Sequence, residues 1–316
     1  QFHPNHILQY HFYETSYWYK LKPNSQHSYR QLLTFGCDFI PRGSNIPFGD
    51  HPYKRIDREF VDRLNVSVAQ KVSNHRVLHM NKVFKRVFNV GIMHKKLEYN
   101  PFTMQELQSI PARKVLWTKE YLNQYVQKAD EIGMYSLGTI ALFCFNLAQR
   151  PGDIRQLKEI NLKNGTLTFI QEKSVTYKDR PPVELSFDLT HTHLKLLLDR
   201  LEYVKTKQPW LYDNPKDTCI IKYETTGRGL SRWNVIQSHA KIRKLCGLPK
   251  ELQMRDFRAT GATELGLAGA SMNELMSVTG HRDPKTVQVY LRNAEGMRAN
   301  ALDKLAALND KTNHTN

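Results

Sequence analysis

The stretch from Ser136 to Phe187 constrains the fold most, because the period of its apolar residues changes partway along. "SLGTIALFCFNLA" reads as an apolar helix that ends at "QRPGDIRQLK", where Pro151 and Gly152 break the chain before a new turn carrying Asp153, Ile154 and Leu157. A few residues on, Asn164-Gly165 is a strong signal for a two-residue hairpin, and Leu167 and Phe169 alternate with threonines as in a half-buried strand. That strand is predicted to end near Lys173, with a loop around "TYKDR" leading into a third strand. Helices return from Leu194 onward. The fold class is therefore mainly α with a small antiparallel β-sheet, an α+β arrangement.

A chain of 316 residues, 40% of them apolar, is comfortable as two domains with real cores. The predicted division is 1–108, a helical domain, and 109–316, a helical domain with the sheet inserted. In the first, "SQHSYRQLLTFGCDFI" and "VSNHRVLHMNKVFKRVFNVGIMH" are helical, and the loop "PRGSNIPFGDHP" breaks the pattern between them. Met80, Val83, Phe84, Val87 and Phe88 form an apolar stripe, and Arg76, Lys82, Lys85 and Arg86 fall largely off it. That basic face is either solvated or laid on a phosphate backbone; no acids interleave it. "NPFTMQELQSIPARK", with Pro101 and Pro111, reads as the connection. Beyond it, Thr118 is a helix cap, Asp256 and Gly269 are the cap and stop of one helix, Ser271 and Glu274 form a capping box, and Asp283-Pro284 starts a helix running through Tyr290.

Charge narrows the function. With 46 Lys+Arg against 30 Asp+Glu, the formal charge of +16 calls for a polyanionic partner, and nucleic acid leads. The longest apolar run is too short to span a membrane. Cys37, Cys144, Cys219 and Cys246 lack metal-ligand spacing and read as reduced cysteines of a cytosolic protein. His191 and His193 have no ligand companions, and no Walker-type loop is present, so neither metal nor nucleotide cofactor is expected.

The candidate chemistry centres on "GHRDPKTVQVY", where His281 and Tyr290 stand on either side of a helix start. Alone, the stretch reads more readily as a core aromatic, Tyr290 beside Val287, and a surface turn residue, His281. Their company changes that: Arg150 sits at a helix break, Lys173 near a strand end, and Arg255 and Arg258 three residues apart. A phosphodiester in reaction needs cationic donors on its non-bridging oxygens, which two arginine forks supply without losing charge. A lysine can protonate the departing 5′ oxygen, and a tyrosine can be the nucleophile.

With "AQRPGDIRQLK", "IQEKS", "RDFRATGATELG" and "GHRDPKTVQVYL" in this order and spacing, the chain resembles the tyrosine site-specific recombinases, in particular their phage-integrase branch. The resemblance is strong from about residue 115 to 300. The first hundred residues are similar to the helical core-binding domain of those enzymes through "LKPNSQHSYRQLL" and "KVFKRVFNVGIMHKKLEYNPF", with weaker motifs. It implies that Arg150 and Arg258 clamp the phosphate, Lys173 is the general acid, His281 donates to the phosphate, Tyr290 is the nucleophile and Asp153 braces the site. Arg255 departs from the family, which has histidine or sometimes lysine there. An arginine cannot be a general base, so it is expected to stabilise charge or merely to pair with Asp153.

The implied function is site-specific cutting and rejoining of double-stranded DNA, without ATP or metal, by four protomers on paired sites in the cytoplasm, associated with the nucleoid when bound to DNA. DNA-bending and directionality proteins are expected partners. A type IB topoisomerase or telomere-resolving enzyme shares the chemistry, and a non-catalytic DNA-binding relative would share the charge. The tail "GMRANALDKLAAL" is expected to dock on a neighbouring protomer or fold back on its own domain. The chain begins with Gln1 and reads as a fragment, and the phage integrases it resembles often carry an additional N-terminal arm-binding domain.

Overall fold

The computed structural model describes residues 11–103, 113–176, 180–213 and 217–289, with isolated positions between 291 and 303. The chain divides into two compact units, 1–111 and 112–316.

The first unit is built from α1 (Ser16–Lys20), α2 (Pro23–Asp38), α3 (Arg58–Ala69) and α4 (Asn74–Met93). The stripe read from the sequence packs: Met80, Val83, Phe84, Val87 and Phe88 are all buried, against Leu33, Phe48, Leu64 and Phe102. α2 approaches α4 so closely at Gly36 that a β-carbon there would stand 2.4 Å from the Phe84 ring. The loop between α2 and α3 closes on the core through Phe48, whose N–H donates to the Phe39 carbonyl at 2.8 Å. A buried amide pair, Asn65 with Asn81, joins α3 to α4 by reciprocal hydrogen bonds of 3.2 and 2.6 Å. Polar groups removed from water need such partners.

The second unit begins with α5 (Lys119–Glu131), capped by the Thr118 hydroxyl accepting from the Tyr121 N–H, and α6 (Tyr135–Asn146). Leu137, Ile140, Ala141, Phe143 and Cys144 are buried, so α6 is the central helix of this unit. After the short α7 (Pro151–Ile154) come strands β1 (Leu162–Lys163), β2 (Thr166–Ile170) and β3 (Glu184–Asp188), an antiparallel sheet in that order. Asn164 and Gly165 both take positive φ, 50° and 79°, as a two-residue hairpin turn with right-handed strands requires. The helices α8 (Lys195–Lys207), α9 (Arg232–Leu245), α10 (Asp256–Leu267), α11 (Met272–Thr279) and α12 (Pro284–Gln288) follow. The mainly α architecture with a small antiparallel sheet is as expected.

Three details differ from the sequence reading. β2 ends at Ile170, before Lys173, because the Ser174 hydroxyl and N–H both turn back onto the Gln171 carbonyl and pull the chain out of the ladder. A second hairpin, β4 (Lys222–Tyr223) with β5 (Arg228–Gly229), has strands too short to leave a periodic signal. Asp256 is the first residue of α10 and not its cap; 1% exposed, its carboxylate accepts from Arg113 at 2.8 Å and from the Gln253 N–H at 3.0 Å. The Ser271–Glu274 capping box forms as read, and Gly269 (φ 93°) ends α10.

Candidate active site

Arg150 follows the end of α6, where Ala148 takes a left-handed conformation (φ 50°) and turns the chain. Pro151 then disfavours a helical backbone at the preceding residue, so Arg150 is extended (φ −76°, ψ 140°). Its Nη1 donates to Gln171 Oε1 at 3.2 Å and lies 3.7 Å from Asp153 Oδ2. Asp153, 6% exposed, also accepts the Glu172 N–H at 3.0 Å. It thereby ties the Arg150 turn to the end of the hairpin.

Arg258 enters from the first turn of α10 and is 2% exposed. Its Nη2 donates to the Thr279 carbonyl at 2.7 Å and lies 3.0 Å from His281 Nε2, while Nη1 lies 3.5 Å from Gln149 Oε1. What sets its depth is Gly261, one turn on: a β-carbon there would stand 2.0 Å from the Phe145 carbonyl, so α10 can lie against α6 because this residue has none.

His281 follows Gly280, whose left-handed backbone (φ 72°) ends α11. Its Nδ1 lies 2.7 Å from the Thr279 hydroxyl, which itself donates to the Leu275 carbonyl. The hydroxyl must therefore accept, and Nδ1 carries the proton. Arginine can only donate, so Nε2 accepts from Arg258. Burial, then the charges of Arg258 and Arg150, push the imidazole pKa down to about 3. The ring is neutral near pH 7.

The structure thus brings together Arg150, Arg258, His281 and Asp153. Lys173 is exposed in the turn two residues after Gln171. Arg255 is exposed at the entrance of α10, and the expected pairing with Asp153 does not form, since that carboxylate faces Arg150 and the Glu172 N–H. Tyr290 lies outside the described residues, as do most of the tail and the connection around Pro111. Lys82, Lys85 and Arg86 are exposed along one side of α4. Arg76 is exposed as well, about a third of a turn round α4 from those three, with its guanidinium 4.1 Å over the Phe35 ring, as that of Arg86 lies 4.4 Å over Tyr17.

Sequence reasoning missed the two glutamines. Gln149 and Gln171, 0% and 2% exposed, sit in the arginine and hairpin boxes, but nothing in a single sequence separates a buried amide from a surface one. Among the described residues no group of three or more side chains is arranged to hold a metal ion, and no helix is long and apolar enough to cross a membrane.

The sequence profile of the phage integrase family matches residues 117–297, more than half of the chain. The chain belongs to the phage integrase family. This integrase-family chain is similar to the integrase of Mycobacterium phage L5, 24% identical over 249 residues that cover 72% of this chain and 62% of that protein. It is also similar to tyrosine recombinase XerC of Lactobacillus delbrueckii subsp. bulgaricus, 27% identical over 89 residues, 28% of this chain and 30% of that one. The chain therefore spans less than two thirds of the length of these curated relatives. Among solved structures, a lambda integrase dimer bound to a COC′ core site matches with a TM-score of 0.70 at 17% identity, covering 90% of this chain and 76% of that one. The Tn1549 transposon integrase in complex with circular intermediate DNA matches with a TM-score of 0.70 at 12% identity, covering 95% and 99%. These likenesses establish a shared fold.

Proposed function

We propose that the chain is a site-specific recombinase that cuts and rejoins DNA strands through a covalent 3′-phosphotyrosyl intermediate, to integrate or excise a mobile element. The observation that carries this reading is the meeting of Arg150, Arg258 and His281, from three separate turns, around one polar network. Family membership supports it.

In this mechanism the guanidinium groups of Arg150 and Arg258 donate to the non-bridging oxygens of the scissile phosphate, where charge develops in the transition state. The Tyr290 hydroxyl releases its proton to solvent as its oxygen attacks phosphorus, and the bond from phosphorus to the 5′ oxygen breaks. Lys173, on an exposed turn beside the site, gives a proton to that leaving oxygen. The strand energy is kept in the tyrosyl ester, so rejoining is the reverse step with a new 5′ hydroxyl, and neither ATP nor a metal ion takes part. His281 becomes a phosphate donor at Nε2 by taking up a proton as the anion enters: its pKa is held down first by burial and then by the two arginines, and the phosphate charge offsets the latter. Arg255, exposed near Arg258 in sequence, acts by charge on the phosphate or the Tyr290 phenolate.

The partner is double-stranded DNA, held on one side by the helical unit through Lys82, Lys85 and Arg86. Lambda integrase has been solved as a tetramer bound to a Holliday junction, and a homo-tetramer on paired sites is the assembly proposed here, with bending and directionality proteins as accessory partners, in the cytoplasm. The test is trapping on a nicked suicide substrate cut from the ends of the genetic element that encodes the chain. The parent should give a denaturation-resistant adduct mapped to Tyr290 by peptide mass, and Tyr290→Phe none, with DNA binding kept. An adduct that persists in Tyr290→Phe would sink the assignment.

A further inference from the structure

Between the two clamping arginines lies an assembly of two buried amides whose polarity is dictated from outside. Gln171 Nε2 lies 2.9 Å from the Thr279 carbonyl and 2.8 Å from Gln149 Oε1, and its Oε1 lies 3.2 Å from Arg150 Nη1. Gln149 Nε2 donates to the Leu147 and Val278 carbonyls at 2.8 and 2.7 Å, which turns its Oε1 toward Gln171 and Arg258. Backbone carbonyls only accept and guanidinium groups only donate, so neither amide can be flipped without breaking bonds at both ends. Each amide therefore presents oxygen to an arginine.

The packing here is also sterically closed. A β-carbon at Gly280 would stand 2.8 to 2.9 Å from the Gln171 amide atoms, so this left-handed turn packs directly on that side chain. One amide thus joins three segments: the Arg150 turn, the hairpin exit that carries Lys173, and the Thr279–His281 turn. An amide oxygen orients a guanidinium without cancelling its charge, as a carboxylate at hydrogen-bond distance would.

We propose that Gln171, seated on Gln149, is the positioning residue that aims Arg150 at the phosphate shared with Arg258 and holds the Lys173 turn in register with His281. This inference rests on the DNA-cleavage reading above. It requires that the side chain act on the rate of the chemical step and not on DNA affinity or on the folded fraction.

The experiment is single-turnover cleavage of the suicide substrate by the parent, Gln171→Met, Gln171→Glu and Gln171→Asn, with affinity for uncleaved DNA and melting temperature measured alongside. Methionine fills the same volume with no hydrogen bonds, and its cleavage rate constant should fall about 100-fold, the scale of an ångström of misplacement. Final amplitude and DNA affinity should stay near the parent's. Glutamate cannot donate to Gln149 Oε1 or Thr279 and partly cancels Arg150, so it should be at least as slow. Asparagine keeps the amide but is one carbon too short to span Arg150 and Thr279, so it should fall between methionine and the parent, and it reports on the same point if the other variants fold poorly. Parental rate constants in the folded variants overturn the inference, as does a loss of amplitude and melting temperature at an unchanged rate constant, which would make Gln171 a packing residue. A parent that forms no adduct overturns the cleavage reading and this inference with it, a result distinct from an active parent with equally active variants.

Discussion

In the first unit Arg76, Arg86 and Arg30 lie at 4.1, 4.4 and 5.0 Å over the rings of Phe35, Tyr17 and Trp18, whereas in the second unit Arg258 is 2% exposed and bonded to a backbone carbonyl and an imidazole. Arg200, also in the second unit, shows a third arrangement: 8% exposed, it meets both oxygens of Asp130 at 2.6 Å. The difference lies in what becomes of the charge. A guanidinium on a ring keeps its N–H edge toward solvent and its charge available to a distant phosphate. One locked on a carboxylate joins helices and is electrostatically closed. Arg150 and Arg258 are hydrogen-bonded to amide and carbonyl oxygens before any anion arrives, and the Asp153 carboxylate, 3.7 Å from Arg150, stands beyond hydrogen-bond distance and offsets that charge only in part.

The largest effect on binding is expected where the ring-stacked and solvent-facing cations meet, on α4. Replacing Lys82, Lys85 and Arg86 together by glutamate should weaken binding to every DNA sequence and lower the slope of log affinity against log salt by about 0.9 for each phosphate no longer neutralised. Arg76→Ala should lower that slope by less, because Arg76 stands roughly a third of a turn round α4 from those three residues. A slope unaltered by the triple reversal returns the face to ordinary solvent; one altered as much by Arg76→Ala would extend the phosphate-binding face round α4 to Arg76.

A smaller effect is expected in the pH dependence of stability. His281 has a folded pKa of about 3 against about 6.5 when unfolded, so below pH 6.5 the unfolded chain takes up a proton that the folded chain does not. Its contribution to stability is therefore flat above that value and is lost progressively between about pH 6.5 and 3. His281→Gln should melt with a shallower acid dependence in that window. An identical slope would show that the ring is not held neutral by Arg258 and Arg150.

The sequence made the helices, the hairpin and the chemical residues legible for different reasons. Asn164-Gly165 and the Ser271–Glu274 box are local signals whose partners lie within three residues, and both appear in the structure as read. Arg150, Arg258 and His281 were found through the spacing of their boxes, although no local rule places them together. What stayed hidden is non-local: the hydrogen bond between the Gln171 and Gln149 side chains spans 22 positions, and the Arg113–Asp256 pair 143. The ring contacts of Arg76 with Phe35 and Arg86 with Tyr17 are non-local too, since both rings lie on earlier helices. Likewise Arg255 does not pair with Asp153: it is exposed at the entrance of α10, whereas Asp153 is buried beside Arg150.

The central claim, that Arg150 and Arg258 are held undischarged for one phosphate, is tested most directly by changing the charge of the phosphate itself. Single-turnover cleavage would be measured for the parent, Arg150→Ala, Arg258→Ala and Arg255→Ala on a suicide substrate with either an ordinary phosphate or a neutral methylphosphonate at the scissile position. On the ordinary substrate the first two variants should be slower by about 100- to 1,000-fold, the scale of losing a preorganised donor to a developing charge. Arg255→Ala should be slower by less, as an exposed residue outside the amide network. On the methylphosphonate, where less negative charge develops, the Arg150→Ala and Arg258→Ala defects should shrink to roughly tenfold or below. Defects of equal size on both substrates would contradict the account, because arginines that merely held the fold together would not respond to the charge of the DNA.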